Sequence, residues 1–162
     1  MNDLRTKIWN EFNDAKVNEH YSNLIAKRYQ KWDLGTNIFL VIMTSSSIAA
    51  WAIWEESQLL WGVLIAFSQI ITITKPYFLF PRYIKTFHEK GLRWKQASMR
   101  YEVLWYEFNH QYIDEEDAKN KFFSLKEVSI EFDHVPDDII FFDFNKQLSQ
   151  AEEMSDIYMK KN

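Results

Sequence analysis

At 162 residues the chain has the size of one domain, and its lack of cysteine rules out disulfides, thiolate metal sites and thiol nucleophiles. A net charge of −4 argues against a binder of duplex DNA that relies on a global basic field, so DNA is not an expected partner. Three Gly and three Pro are too few to punctuate a many-stranded β fold, and the expected fold class is all-α. The mean hydropathy of −0.37 conceals an uneven distribution, because the apolar residues gather in the middle of the chain.

Residues 1–33 read as a cytoplasmic amphipathic helix, with Ile8, Phe12, Ala15, Ile25, Tyr29 and Trp32 recurring at helical spacing. The first 15 residues contain no apolar stretch of the kind a cleavable signal peptide needs. Leu34–Trp54 then gives 21 residues without a charge, about 30 Å of helix and enough for the hydrocarbon of a bilayer. After Glu55 and Glu56 comes a second uncharged run of 18 residues, Ser57–Thr74. A soluble bundle with two very apolar core helices would also need such runs, but rarely at this length and in tandem. The pattern predicts a transmembrane hairpin over residues 34–81, with spans at about 34–54 and 57–78 and an external turn at 55–58. Trp32, Trp51, Trp54, Trp61 and Tyr77 stand at the ends of the runs, as interfacial anchors do.

Lys and Arg flank the hairpin on both sides while its turn has none, so the positive-inside rule puts both termini in the cytoplasm. The second span is expected to continue as a long helix, with Pro76 and Pro81 marking a kink. Its stripe is Tyr83, Phe87, Trp94, Tyr101, Trp105, Phe108 and Tyr112. Asp114–Asp117 (DEED) is an acidic helix start, followed by Phe122, Phe123, Leu125, Val128 and Phe132 up to a break at Asp133–Pro136. Asp137 and Asp138 open a last helix with Ile140, Phe144, Leu148, Ala151 and Tyr158 on one face. Residues 82–162 thus form a cytoplasmic helical domain. From Tyr101 onward six Lys face fifteen acids, a net charge of −9.

A lone hairpin cannot cover its own polar side chains, so self-association, ring-like in form, is expected. Asn37, Thr44 and Ser47 share a face of the first span, and Gln58, Gln69 and Thr72 a face of the second. They either line a water-filled pathway between subunits or pack span against span. Lys75, Arg82, Lys85, Lys90, Arg93 and Lys95 form a basic collar, read either as a lipid-headgroup contact or as a site for an anionic ligand such as a nucleotide messenger. Glu107–His110 and Glu131–His134 have the Glu-x-x-His spacing of di-iron bundles but lack the further carboxylates, and are read as surface residues rather than metal ligands. No nucleophile, phosphate-loop or dinucleotide motif is present, so neither enzymatic activity nor a cofactor is expected.

The layout resembles the SLATT group of bacterial membrane effectors. The resemblance rests on His20-Tyr21 through Lys27-Arg28-Tyr29 before the first span and on Thr44–Ser47 within it. Lys75-Pro76 after the second span and Tyr101–Trp105 (YEVLW) in the long helix complete it. It implies a multi-pass protein of the bacterial inner membrane that perforates or depolarises it to arrest a phage-infected cell. A separate sensor protein or a nucleotide messenger would supply the trigger. The alternative is a non-conducting anchor or scaffold whose acidic helices recruit a soluble partner.

Overall fold

The computed structural model describes residues 2–53, 58–77, 80–133 and 144–160, with side chains for all of these except 2, 45–53, 58 and 133. The described residues are helical apart from short turns, and contain no strand. The helices are α1 (Asn2–Ile53), α2 (Gln58–Thr74), α3 (Phe80–Asn109), α4 (Glu115–Ile130) and α5 (Asn145–Met159). They form two compact units, Met1–Lys27 with Ile84–Asn162, and Arg28–Tyr83.

In the larger unit the first part of α1 runs antiparallel to α3. Trp9 meets Trp105 at 4.9 Å between ring centroids, Glu19 meets Ser98, and Asn23 meets Gly91. A Cβ at Gly91 would lie 2.9 Å from Asn23 Oδ1, so glycine is what permits this close approach. α4 and the 3₁₀ turn Glu131–Asp133 after it run back along α3, through Lys121 to Glu107, Tyr101 to Phe122 and Trp94 to Phe132. Ile8, Phe12, Ala15, Trp94, Ala97, Tyr101, Leu104, Ala118 and Phe122 form the core. The C-terminal end of α5 seats on α1 and α3, where Ser155 donates to Asn13 at 2.8 Å and Tyr158 donates to Glu102 at 3.0 Å.

Local sequence sets the helix ends. Asp114 accepts from the Asp117 amide at 2.8 Å and caps α4, with Glu115, Glu116 and Asp117 at the positive end of the dipole. The turn before it is a Schellman motif, closed by bonds from Tyr112 N to Glu107 O and from Gln111 N to Phe108 O. Gln111 sits there at φ 60°, a place usually taken by glycine.

α2 does not continue unbroken into the long helix α3, contrary to the expectation for the second apolar run. α2 stops at Thr74 and Lys75–Tyr77 form a 3₁₀ turn. Pro76 lacks an N–H for the i−4 carbonyl, and it pushes Lys75 away from helical geometry. Pro81 is accommodated in the first turn of α3, where a missing N–H costs nothing. Tyr112 leaves the predicted stripe because the Schellman turn carries it out of the helix, to 68% exposure. Leu148 is exposed on α5, whose buried positions are Ala151 and Ser155, and Phe123 and Val128 are exposed on α4. The start of the last helix expected at Asp137 lies outside the described residues, as do Ile140 and His134.

Arg28–Tyr83 forms an antiparallel helix pair. Tyr29 touches Phe80 and Tyr83, Asn37 meets Lys75, and the Phe39 and Phe67 rings lie 6.4 Å apart. Leu59–Tyr77 is long and apolar enough to cross a membrane, with a mean hydropathy of 1.4 and 6% of it buried.

Candidate functional site

The helix pair leaves much of its apolar surface outside, while the buried residue of α2 is polar. Ser68 is the buried residue among the described side chains of α2, while Leu59, Val63, Ile70 and Ile73 are 58–84% exposed. In α2 the half-buried residues Trp61, Leu64, Ile65, Ile71 and Thr74, with Lys75 of the 3₁₀ turn, flank Ser68, so this face packs on α1. At about 100° per residue, Thr72 stands roughly 40° round the helix from Ser68 and Gln69 roughly 100°, in the same sense. On α1 the half-buried residues are Asp33, Thr36, Asn37, Phe39, Leu40 and Met43; Asn37, at the edge of this face, and the exposed Thr44 lie roughly 80–100° round from Thr36, again in that sense. Because the helices are antiparallel, rotation of one sense on each brings both sets to one flank of the pair. The opposite flank carries Phe39 and Phe67, which touch.

The polar flank therefore combines Asn37 and Thr44 with Gln69 and Thr72. Its members differ in how far they satisfy themselves. Thr44 Oγ1 donates to Leu40 O at 2.9 Å, and Thr72 Oγ1 to Ser68 O at 2.8 Å, within their own helices. Asn37 accepts from Lys75 Nζ and donates to Asp33 Oδ2 at 3.2 Å, tying the open end of the pair. Gln69 is exposed, and its carboxamide, with two donors and two acceptor positions, is too large for the hydroxyl solution. It lies at the middle of Leu59–Tyr77. The side chains of Ser47 and Gln58 lie outside the described residues.

The basic collar is divided between the units, Lys75 and Arg82 in one and Lys85, Lys90, Arg93 and Lys95 in the other. Lys85 pairs with Glu89 at 3.9 Å, and Arg93 and Lys95 are exposed. Of the anchors, Trp32 is 40% exposed with the Arg28 guanidinium 5.0 Å above its ring, Trp61 is half-buried and Tyr77 is 81% exposed. The Trp51 side chain and all of Trp54 lie outside the described residues. His110 Nδ1 lies 2.9 Å from Tyr106 O, and Glu107 is held by Lys121 at 2.8 Å. Among the described residues no three His, Asp or Glu side chains gather as a metal site would require.

The larger unit holds a polar cluster that the sequence reading passed over. Lys16 and Glu19 are both buried and pair at 3.1 Å. Ser98 donates to Glu19 at 3.3 Å, and Lys16 Nζ sits 4.2 Å over the Tyr158 ring. Burial lowers the His20 pKa, with Glu19 opposing and Lys16 reinforcing the shift. Burial raises the pKa of Asp14, helped by Glu11 and opposed by Lys126, and burial likewise raises that of Tyr101. The sequence signal was available, since Lys16 falls one residue after Ala15 on an otherwise apolar face.

No family model matches the chain, and neither the curated proteins nor the solved structures gave a match.

Proposed function

We propose that this chain is a two-span protein of the bacterial inner membrane, with both termini in the cytoplasm. Copies of it assemble through the polar flank of the helix pair into an oligomer that breaches the membrane and arrests a phage-infected cell. The observation carrying this reading is Gln69, exposed at the centre of an apolar helix. An unpartnered amide in hydrocarbon costs roughly 2–7 kcal/mol, and the hydroxyls beside it already use their own backbones. A second copy presenting the same flank supplies the missing donors and acceptors. The apolar outer face of α2 then meets lipid, and Asn37, Thr44 and Thr72 stand beside Gln69 where subunits meet. The antiviral setting is drawn from the resemblance to the SLATT layout.

The absence of cysteine makes the test clean, because an introduced thiol is the only one. Thr72→Cys, on the same flank with Gln69 retained, is expected to give disulfide-linked dimers on oxidation in native membranes, whereas Ala66→Cys on the apolar face stays monomeric. Expression of the parent chain is expected to collapse the membrane potential, read with a voltage-sensitive dye, and Gln69→Leu to preserve it. An intact potential together with a co-purifying soluble protein would replace the pore by the scaffold.

A further inference from the structure

Apart from the helix pair, the larger unit carries an open groove of about 400 Å³ between α3 and α4. Its walls are Met99, Val103 and Leu104 from α3 and Leu125 from α4, with Ser124 at the rim. Met99 and Val103 are 55% and 57% exposed, although the core of the same unit is closed. At one end the Lys121–Glu107 bond crosses from α4 to α3, so those two charges cancel. At the other end stands Arg100, exposed and with no ion pair among the described residues.

We propose that this groove binds a small amphipathic anion, an apolar body of up to about 10 Å carrying one carboxylate, sulfonate or phosphate. The volume falls within the range of small-molecule sites. The charge pattern fixes the polarity: the apolar body lies along Val103, Leu104 and Leu125, and the anionic head faces the Arg100 guanidinium, whose planar fork suits such groups. The length favours a small ligand over a partner helix. Arg100 and Glu107 are seven residues apart, roughly 10 Å along α3, which leaves room for less than two turns of a docked helix. The site is independent of the membrane reading, because all its residues belong to the larger unit.

The test uses the full chain in phosphatidylcholine nanodiscs with methyl-labelled methionine, and octanoate as probe. The Met99 methyl resonance is expected to shift and saturate at roughly millimolar octanoate, while Met43 and Met154 stay unmoved. Octanamide, of the same shape but uncharged, and the Arg100→Gln variant are each expected to weaken half-saturation about tenfold. Ser124→Trp, which fills the groove from an exposed position, is expected to abolish the shift. No Met99 shift, a non-saturating shift shared by all methionines, or unchanged affinity in Arg100→Gln would overturn the proposal.

Discussion

Two phenylalanines show how differently the two units are built. Phe12 is 1% exposed, enclosed by Trp9, Tyr158 and the rest of the core, whereas Phe67 is 56% exposed and touches Phe39 on one side. Apart from the Lys16–Glu19 pair, the larger unit keeps its charges at least partly exposed and closes over Phe12, Phe87, Trp94, Tyr101 and Phe122, as a chain does in water. The helix pair turns Leu59, Leu60, Val63, Phe67, Ile70 and Ile73 outward and keeps Ser68 inside. Leaving those six side chains in water forgoes on the order of 10 kcal/mol, comparable to the whole stability of a domain. A pair of helices has too little facing surface to bury them, which is the ground for the proposal that lipid and further copies cover them.

The largest expected contrast comes from truncating those two rings. Phe12→Ala is expected to cost about 3–5 kcal/mol in denaturant unfolding, and Phe67→Ala less than about 1 kcal/mol. Equal losses would mean that the helix pair has a closed core of its own. Next comes the buried ion pair. Glu19→Ala leaves Lys16 buried without its carboxylate and is expected to cost about 3 kcal/mol, while Lys16→Met with Glu19→Leu recovers most of it. Failure of the double variant to recover would assign the loss to the Ser98 bond instead.

Much of this division was legible beforehand, and the gaps have physical causes. Helical spacing, the uncharged runs and the acidic start pointed to the helices α1, α2 and α4, whereas Pro76, read as a kink in a continuous helix, stands in a 3₁₀ turn that ends α2. The aromatic stripe of α3 led to Phe87, Trp94 and Tyr101 but said nothing of Gly91, Ala97 and Ser98, which are buried because they are small enough for α1 to approach. Small residues give no hydrophobic signal: on α5 the expected face includes the buried Ala151 but misses Ser155 and includes the exposed Leu148 for the same reason. In the helix pair, hydroxyl residues occur on several faces, so spacing alone could not single out Gln69. That required knowing which face of α2 meets α1, and that Thr44 and Thr72 bond to their own backbones.

Smaller effects sharpen the description of the larger unit. Gln111→Gly relieves a left-handed residue in the Schellman turn and is expected to stabilise by about 1 kcal/mol in thermal unfolding. The smallest effect is that of pH. With its folded pKa below the ordinary 6.5, His20 resists protonation in the folded unit. Its contribution is therefore complete above pH 6.5 and is lost as pH falls through the folded value, so mild acid lowers the melting temperature. His20→Gln is expected to flatten that part of the profile, and an unchanged profile would assign the dependence to other groups.

Whether the outer face of α2 lies in lipid can be read from its immediate environment. Single cysteines at Val63 and Ile70, spin-labelled in lipid vesicles, should be relaxed strongly by oxygen and weakly by a water-soluble nickel chelate, whereas a label at Lys160 shows the reverse. Nickel accessibility at Val63 and Ile70 equal to that at Lys160 would contradict the account, because the apolar face would then lie in water.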